Sequence, residues 1–313
     1  MTRKDVLIIE EPELFRELDE DDLLSIADAV EEVITSKYGD PKRLRHYRSI
    51  YRQAVLYRKF MRLLNEELGI FEIARFLGIE KSTIYFWFKK GTSPFTSYKI
   101  PPPTYDLGYL LGSGIGDGSA DPKGRSTQYA WLKDEDFADA IVKSAERLGI
   151  PAWKWRKRGW QVAYSNVVVT ELIKVGKVQP LRLLPVLTIN KEIARGALTG
   201  WFDAEGSPGS FNLNSYKYDA PRGASANQDI VRLMAYLLDL LGIHHTIGGF
   251  KNAKEFISPQ TGKIYKPKSG KTYTVRIRRC CIIRFSKLVG FRIRRKQEQL
   301  HMLIAASKFK KIC

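Results

Sequence analysis

Apolar residues recur at helical spacing through the first third of the chain. In residues 5–36 they form a stripe between acidic side chains, and in 41–68 a second stripe runs between arginines and lysines. Both stretches are therefore predicted to be helical. The acids are either a solvated face or a cover over a basic surface. The basic helix is either solvated or a row of contacts along phosphates.

A short helix pair is predicted in residues 70–91. Ala74 lies on the first helix, Gly78 permits the left-handed turn, Ser82 is placed to cap the second helix, and Ile84 points back at Ala74. This spacing resembles the helix-turn-helix of DNA-binding proteins, although such pairs also occur as plain packing units. The side chains expected to face DNA are Lys81, Thr83, Tyr85, Lys89 and Lys90.

The proline-rich stretch 91–103 favours an extended linker, because three consecutive prolines exclude a helix. It suggests a domain boundary. The predicted domains are an all-α N-terminal domain over 1–100 and two further units over 104–189 and 190–313. The last unit ends in a basic helix.

The chain repeats itself after this linker. LLGSGIGDGS at 110–119 is read again as LTGWFDAEGS at 198–207, and a second pair of similar segments follows each copy. Each repeat predicts a helix ending in an acid, two strands, a helix, two strands and a closing helix. The stretch 251–271 is an insertion that reads as an extended hairpin or a loop. Together these elements predict an α+β fold.

The predicted strands carry basic side chains at alternate positions. In 272–279 arginines alternate with apolar residues, which places bases on one face of the sheet and apolar groups on the other. A curved sheet with a basic face fits a DNA major groove. The expected DNA-binding residues of the two units are Lys154, Arg156, Arg158, Asn227, Arg276 and Arg278.

Net charge supports a nucleic-acid partner. The 313 residues carry +18, yet the first 36 carry −9, so the remainder carries +27. Such a surplus over globular domains implies a polyanion, here double-stranded DNA, with a basic but inert protein as the alternative. No stretch is long and apolar enough to span a membrane, and the N-terminus lacks a signal-peptide apolar region. A cytoplasmic protein without a membrane partner is expected.

The repeated segments place one acid at the end of each helix, Asp117 and Glu205. Small residues four apart, Gly112 and Gly116, then Gly200 and Ala204, let two helix backbones approach closely. Packing these helices would bring the two acids together, and paired carboxylates repel unless a cation lies between them. Oxygen ligands suit Mg²⁺, or another divalent cation such as Mn²⁺. The carbonyls of Gly116 and Ala204 are further candidate ligands.

These motifs resemble the LAGLIDADG homing endonucleases in their single-chain form with two motif copies. The resemblance covers Tyr105 to about Lys296, and the first copy departs by placing Ile115 where an acid is common. It implies two αββαββα units related by a pseudo-twofold axis and saddle-like sheets on a long DNA site. It further implies cleavage of both strands by metal bound at Asp117 and Glu205. A monomer with an internal pseudo-dimer follows.

The resemblance also implies polar or basic side chains beside the scissile phosphates. The candidate catalytic positions of this kind are Lys133 in the first unit, a position near Ser225–Asn227 in the second, and Arg294 before the last helix, with Lys296 as the alternative to Arg294. Gln128 and Gln161 are further possibilities. A phosphate-facing lysine and a solvated lysine read alike in sequence, so each of these positions is open to both interpretations.

Two other functions fit parts of the sequence. The first motif has the G-x-G spacing of a dinucleotide-binding loop, but it lacks the preceding strand and the glycine-rich second copy. The second alternative keeps the scaffold without cleavage, as a DNA-binding regulator or an intron RNA maturase. Retention of both acids favours a metal-dependent DNA endonuclease.

Overall fold

The computed structural model describes residues 10–38, 49–89, 93–96, 98–121, 125–212, 217–251, 256–257, 264–265 and 270–306. Over these residues the fold is mixed helix and sheet with antiparallel pairing throughout, which confirms the α+β class. Lys90, expected to face DNA, lies outside the described residues. None of the described helices combines the length and apolar character needed to cross a membrane.

The N-terminal region is helical. Its helices are α1 (Glu13–Arg16), α2 (Glu20–Tyr38), α3 (Ile50–Asn65), α4 (Ile70–Leu77) and α5 (Lys81–Lys89). The Ser49 hydroxyl starts α3 by accepting a hydrogen bond from the Arg52 backbone N–H at 3.3 Å. The predicted stripe of α2 is buried against α3 and the helix Val167–Val178, and the Tyr51 hydroxyl donates to the Val168 carbonyl at 3.1 Å. The N-terminal helices therefore share a core with the first repeat.

Acids of the N-terminal region cover the arginines of α3. The ion pairs are Arg52–Glu31 at 2.8 Å, Arg58–Glu11 at 2.9 Å and Arg62–Glu20 at 2.6 Å. These pairs favour the interpretation in which the acids cover a basic surface. They leave α3 with little free positive charge for phosphates.

Helices α4 and α5 cross through a tight turn. Gly78 has φ 59°, so the expected left-handed turn is present, and Ala74 and Ile84 are buried between the helices. The predicted cap at Ser82 is wrong, because α5 already begins at Lys81. The Glu80 carbonyl accepts from the next-turn N–H groups of Thr83 and Ile84 instead.

The first repeat has the predicted order of elements. They are α6 (Tyr105–Gly116), β1 (Ser119–Ala120), β2 (Ser126–Leu132), α7 (Glu135–Arg147), β3 (Ala152–Arg156), β4 (Trp160–Ser165) and α8 (Val167–Val178). The antiparallel sheet has the order β1-β2-β4-β3. Tyr129, Val162 and Tyr164 are buried on the sheet face that α7 covers, as period-two alternation requires. A 3-10 turn (Pro180–Leu183) and α9 (Leu184–Leu187) lead to the second repeat.

The second repeat has the same order with two insertions. Its elements are α10 (Lys191–Glu205), β5 (Gly206–Ser207), β6 (Ser210–Asn212), β7 (Lys217–Asp219), β8 (Arg222–Ser225), α11 (Gln228–Leu240), β9 (His245–Lys251), β10 (Phe256–Ile257), β11 (Ile264–Tyr265), β12 (Lys271–Ile277), α12 (Ile282–Leu288) and α13 (Arg294–Ala306). The main sheet has the order β5-β8-β12-β9, which is the strand order of the first sheet. The strands β6 and β7, and likewise β10 and β11, form separate two-stranded hairpins, as predicted for the second insertion.

Candidate functional site

Helices α6 and α10 touch backbone to backbone. A Cβ added at Gly108 would overlap the carbonyl oxygen of Ile193, and one added at Gly196 would overlap that of Tyr105. The same exchange recurs one turn later. There Gly112 meets the Ala197 carbonyl and Gly200 meets the Tyr109 carbonyl. Each contact of a glycine of α6 with a carbonyl of α10 is thus matched by a contact of a glycine of α10 with a carbonyl of α6.

The sequence interpretation missed the first pair of this interface. Gly108 and Gly196 lie one turn before the small residues identified from the motif, at the same four-residue spacing. Extending that spacing backwards would have found both glycines. Six small positions, three on each helix, therefore form the contact that aligns the two helices.

The two predicted acids lie at the ends of these aligned helices. Asp117 is the residue at which α6 ends, and Glu205 is the last residue of α10. A Cβ on Gly116, the neighbour of Asp117, would lie 3.2 Å from the Cγ atom of Glu205. The helix interface therefore brings the carboxylates into one region, as the sequence predicted.

Both carboxyl groups are harder to ionise than usual. Burial raises the pKa of Asp117, while the charges of Lys296 and Lys177 oppose that rise. Burial also raises the pKa of Glu205, and the negative charge of Asp117 raises it further, against the opposing effect of Lys177 and Lys296. The effect of Asp117 on Glu205 shows that the two carboxyl groups are close enough to interact.

Two lysines hold the ends of the motif helices. Lys177 Nζ donates to the carbonyls of Ile115 at 3.0 Å and Gly116 at 3.2 Å. Lys296 Nζ donates to the carbonyls of Phe202 at 3.3 Å and Asp203 at 2.6 Å. Each lysine satisfies carbonyls that a helix C-terminus leaves without partners, and its charge opposes the negative end of the helix dipole.

Lys296 was predicted at this site, whereas Lys177 was missed. Lys177 lies in the last turn of α8, the closing helix of the first repeat, more than fifty residues after Asp117. Nothing in its local sequence distinguishes it from a solvated lysine. Burial lowers the pKa of Lys296, and the neighbouring carboxylates of Asp203, Asp134 and Asp117 counteract this.

Asp203 links the two repeats beneath the site. Its buried carboxylate accepts a hydrogen bond from the Tyr109 hydroxyl at 2.8 Å and from the backbone N–H of Arg292 at 3.1 Å. Burial raises the pKa of Asp203 to about 6, although these hydrogen bonds favour its charged form. The Arg292 guanidinium lies 4.5 Å from the Tyr109 ring centroid and donates to Ser144 Oγ at 2.7 Å. Asp203 therefore joins α6, α10 and the turn before α13.

The other predicted catalytic side chains have different surroundings. Lys133 follows β2 and lines a cavity with Arg156 and Arg158. Arg294 is the exposed first residue of α13, and its backbone N–H donates to the Asp136 carboxylate. Gln161 donates to the Lys157 carbonyl at 3.2 Å.

Gln128 lies on the exposed face of β2, where its cross-strand partner is Ser119, two residues after Asp117. Of the predicted set, Lys296 contacts the helix ends that carry the acids, and Gln128 lies on the strand next to the first of them.

The open face of the first sheet is aromatic. Trp153 and Trp155 are 53% and 41% exposed, whereas Lys154 points to the opposite face. Lys154 is paired there with Glu135 and Asp139 of α7. Successive strand residues face opposite sides, so the tryptophans, not Lys154, occupy the surface available to a partner. Arg156 is two residues after Lys154 and so lies on the same side of β3, away from the tryptophans. Its guanidinium is 5.4 Å from the Trp160 ring centroid.

The open face of the second sheet is basic and polar. Arg222, Arg276 and Thr246 are direct neighbours across β8, β12 and β9. Val275 and Ile277 are buried on the other face, which is the alternation predicted for this strand. Asp219 lies near both arginines, at 3.4 Å from Arg222 and 3.7 Å from Arg276.

Two predicted DNA contacts of this repeat have structural partners. Arg278 is exposed just after β12, and its backbone N–H donates to the His244 carbonyl at 2.9 Å. Asn227 precedes α11 and accepts from the Asp229 backbone N–H at 2.9 Å. The Asn227 side-chain oxygen thus serves as a helix cap.

The helix α5 presents the side chains predicted for the helix-turn-helix. Lys81, Tyr85 and Lys89 are exposed, and Thr83 is half-buried. Lys81 Nζ lies 5.1 Å from the Phe71 ring centroid, and Lys89 Nζ lies 5.3 Å from that of Tyr85. Contact of this surface with DNA stays a prediction.

Comparison with known proteins gives a distant relative and a set of structural likenesses. The chain is 27% identical over 245 residues to an uncharacterised protein of Methanocaldococcus jannaschii, covering 74% of this chain and 84% of that protein. The homing endonuclease I-DmoI, solved in complex with DNA and Mn, aligns at a TM-score of 0.38 with 17% identity, over 60% of this chain and 97% of its own. Full-length DUF199/WhiA from Thermatoga maritima aligns at 0.41 with 14% identity, over 67% and 62% of the two chains. No protein-family model matches the chain. TM-scores below 0.5 at these identities establish no shared fold for the whole chain.

Proposed function

We propose that this protein is a site-specific endonuclease of double-stranded DNA that hydrolyses phosphodiesters with divalent metal held by Asp117 and Glu205. The observation that carries the proposal is the meeting of these acids at the ends of two helices in backbone contact. Each acid has a raised pKa, and the charge of Asp117 contributes to that of Glu205. The helix-to-helix contact fixes the spacing of the acids, which a metal site requires.

The residues at this place fit a divalent cation. Two adjacent carboxylates at helix C-termini form a strongly negative site of hard oxygen ligands, which Mg²⁺ or Mn²⁺ favours. Asp117 and Glu205 would hold the ion, with the Ala204 carbonyl as a further candidate ligand. The Gly116 carbonyl, the other candidate, accepts a hydrogen bond from Lys177 Nζ. Once bound, it would act as a Lewis acid on the phosphate and lower the pKa of a water nucleophile.

The lysines at the site have a second role in this proposal. Lys177 and Lys296 lie beside the acids and anchor the helix ends through carbonyl hydrogen bonds. There they orient the carboxylates and offset part of the charge of an approaching phosphate. We regard them as positioning residues, and we do not assign Lys133 or Arg294 to the chemistry.

The partner follows from the arrangement of the two repeats. Their reciprocal glycine contacts support a pseudo-twofold axis between α6 and α10, which suits cleavage of both strands by one monomer with an internal pseudo-dimer. The open sheet faces, with Arg276 and Arg278 on one and Trp153 and Trp155 on the other, are proposed to contact a long DNA site. Arg158, in the hairpin between β3 and β4, would lie at the end of the first face. The helix-turn-helix surface of α5 would add contacts on one side.

Strand-specific cleavage tests the proposal. The substrate is the DNA sequence that the gene for this protein would interrupt, without the gene itself, and its two strands carry different labels. It is incubated with the protein and Mg²⁺ or Mn²⁺. We expect Asp117→Asn and Glu205→Gln each to slow cleavage by at least about 10²-fold, the scale of losing one charge-stabilising group. Glu298→Gln, which changes an exposed acid on α13, is the matched control and should cut normally.

Two outcomes would contradict different parts of the proposal. A wild-type protein that binds this DNA with either metal but never nicks it is not an endonuclease. Cleavage that survives both acid substitutions would remove the site assignment while leaving the activity.

A second candidate is a DNA-binding regulator or an intron RNA maturase on the same scaffold. The observation that favours it is the contact of Lys177 with the Gly116 carbonyl at the end of α6, because the charge of this lysine opposes that of both acids without a metal ion. For a retired site, Lys177→Met would leave the affinity for DNA or RNA unchanged, and addition of Mg²⁺ would not alter the stability of the protein.

A further inference from the structure

A cavity of about 450 Å³ opens at the end of the first sheet, between the end of β2 and the β3–β4 hairpin. Its walls include Trp131, Lys133, Arg156, Arg158 and Trp160. The volume falls within the range of about 300–1,000 Å³ typical of small-ligand pockets. The cavity lies at the Leu132 end of β2, whereas β1, which follows Asp117, pairs with Thr127 and Gln128 of that strand.

The backbone is strained on both walls of this cavity. Among the described residues, only Trp131, Arg158 and Glu67 are non-glycine residues with positive φ, and two of these three line the cavity at 57° and 61°. A bulky residue rarely adopts this conformation, and such strain clusters at ligand-binding sites. The register of β2 shifts between Tyr129 and Leu132, which marks a bulge that re-aims the intervening side chains.

The strain places an indole in solvent. Trp131 is 70% exposed, the most of any tryptophan in the described structure, and burial of its ring would otherwise be favourable. The hairpin glycine Gly159 packs directly on the Trp131 backbone, where a Cβ would lie 3.0 Å from its Cα. The hairpin therefore holds Trp131 in this conformation.

The cavity is positively charged. Lys133, Arg156 and Arg158 line it, and no carboxylate does. None of these three cations forms an ion pair with a described residue, whereas their neighbour Lys154 pairs with Glu135 and Asp139. Glu135 and Asp139 thus form ion pairs with Lys154 and not with the cavity residues. An anionic ligand would supply the counter-charge that Lys133, Arg156 and Arg158 lack.

We propose that this cavity binds one unpaired nucleotide of the DNA substrate, with its base stacked on Trp131 and its phosphate held by Arg156 and Arg158. The proposal rests on DNA being the partner, as proposed above. A base offers a π-face to an indole, and its phosphate offers the charge that the cavity lacks. A base within an intact duplex is stacked between its neighbours and cannot meet Trp131 in this way.

A bulged duplex tests this site. Two duplexes of equal sequence are compared, one fully paired and one with a single unpaired 2-aminopurine, whose fluorescence falls on stacking. We expect the wild-type protein to bind the bulged duplex about 5- to 150-fold more tightly, the range for one base stacked on an aromatic side chain, and to quench the probe. Trp131→Phe should keep most of this preference, and Trp131→Ala should lose it.

Two further variants make the test specific. Arg158→Gly removes a cation and relaxes the positive φ, so it leaves the fold intact and should reduce the preference. Tyr236→Ala removes an aromatic side chain of α11 that is 53% exposed, as Trp153 is, but lies outside the proposed DNA surface, and it should keep the preference for the bulge. Equal affinity of the wild-type protein for the two duplexes would overturn the proposal, as would a preference that survives Trp131→Ala.

Failure here is separable from failure of the proposed function. If Asp117→Asn and Glu205→Gln abolish cleavage while bulged and paired duplexes bind equally, the endonuclease stands and the nucleotide site falls. A bulge preference that depends on Trp131 in a protein that never nicks DNA supports the nucleotide site alone. Absence of binding to every duplex would overturn both.

Discussion

The two repeats are alike where their motif helices touch and different almost everywhere else. Gly108 and Gly112 make the same carbonyl contacts as Gly196 and Gly200, and the strand order of the two sheets is the same. A backbone contact tolerates no side chain, so both copies are held to glycine there. The two repeats therefore need to be alike only where α6 and α10 touch. The side chains around these helices, and the sheet surfaces, can differ between the repeats.

The clearest difference between the repeats near the site lies two residues before Asp117 and Glu205. Ile115 in the first repeat is buried among apolar neighbours, and the matching Asp203 in the second is buried in a hydrogen-bond network. The sheets differ in the same sense. One presents Trp153 and Trp155, and the other presents Arg222 and Arg276.

Breaking the symmetric contact should have the largest effect. Gly112→Ala and Gly200→Ala are each expected to destabilise the protein by more than about 3 kcal/mol, because each Cβ would overlap a carbonyl oxygen that cannot move alone. Urea unfolding measures the change. Gly248→Ala is the control, since its nearest neighbour would lie 3.5 Å away. Destabilisation by only one of the two helix substitutions would refute the reciprocity of the interface.

The asymmetry at Asp203 predicts a dependence of stability on pH. Its pKa is raised from 3.8 to about 6, so the folded protein holds this proton more tightly than the unfolded chain does. The stability it contributes is present below pH 3.8 and is lost as the pH rises through 6, by at most about 3 kcal/mol. We expect the stability difference between wild type and Asp203→Asn, from urea unfolding, to change over this interval. A difference that stays constant from pH 3.5 to 7 would contradict the assignment.

The two lysines should be close to equivalent. Lys177→Met and Lys296→Met are each expected to reduce metal-dependent cleavage by about 10- to 100-fold, the usual cost of removing a group that orients metal ligands. Single-turnover rates at saturating metal measure this. The matched control is Lys287→Met, which removes an exposed lysine of α12. Normal cleavage by one variant and complete loss in the other would assign the chemistry to one half of the molecule.

The smallest expected effect is on DNA affinity, and its dependence on salt should differ between variants of the two sheets. Arg276→Ala should weaken duplex binding and reduce the slope of log affinity against log salt by about 1, because one phosphate contact is lost. Trp153→Ala should weaken binding without changing that slope. Arg232→Ala, an arginine paired with Asp229 on α11, is the control. Equal salt slopes for Arg276→Ala and Trp153→Ala would show that the sheets do not differ in this way.

Much of the fold follows from sequence patterns that are local. Helical spacing predicted the helices of the N-terminal region, and the repeat predicted the order of elements in both units. The segment boundaries differ by several residues for α6 and α10, which begin well before the motif. Four-residue spacing of small residues also predicted that Asp117 and Glu205 would lie together.

The sheet surfaces could not be read in the same way. In β12 the alternation of arginines with Val275 and Ile277 was sufficient, because one face is clearly apolar. In β3 both sides of the strand carry large amphipathic side chains, so the sequence does not show which side is exposed. Contacts with α7 decide this. Its acids Glu135 and Asp139 pair with Lys154 and so turn Trp153 and Trp155 outward.

The sequence by itself determined that two similar units would pack through small residues and carry one acid each, since that contact depends on the absence of side chains at fixed spacing. Only the tertiary structure decided which cations surround those acids. Lys177 and Lys296 come from segments far along the chain and arrive at the helix ends because unpaired carbonyls and converging negative charge attract them. Lys133 looks equally suitable in sequence, and the fold places it beside Trp131 instead.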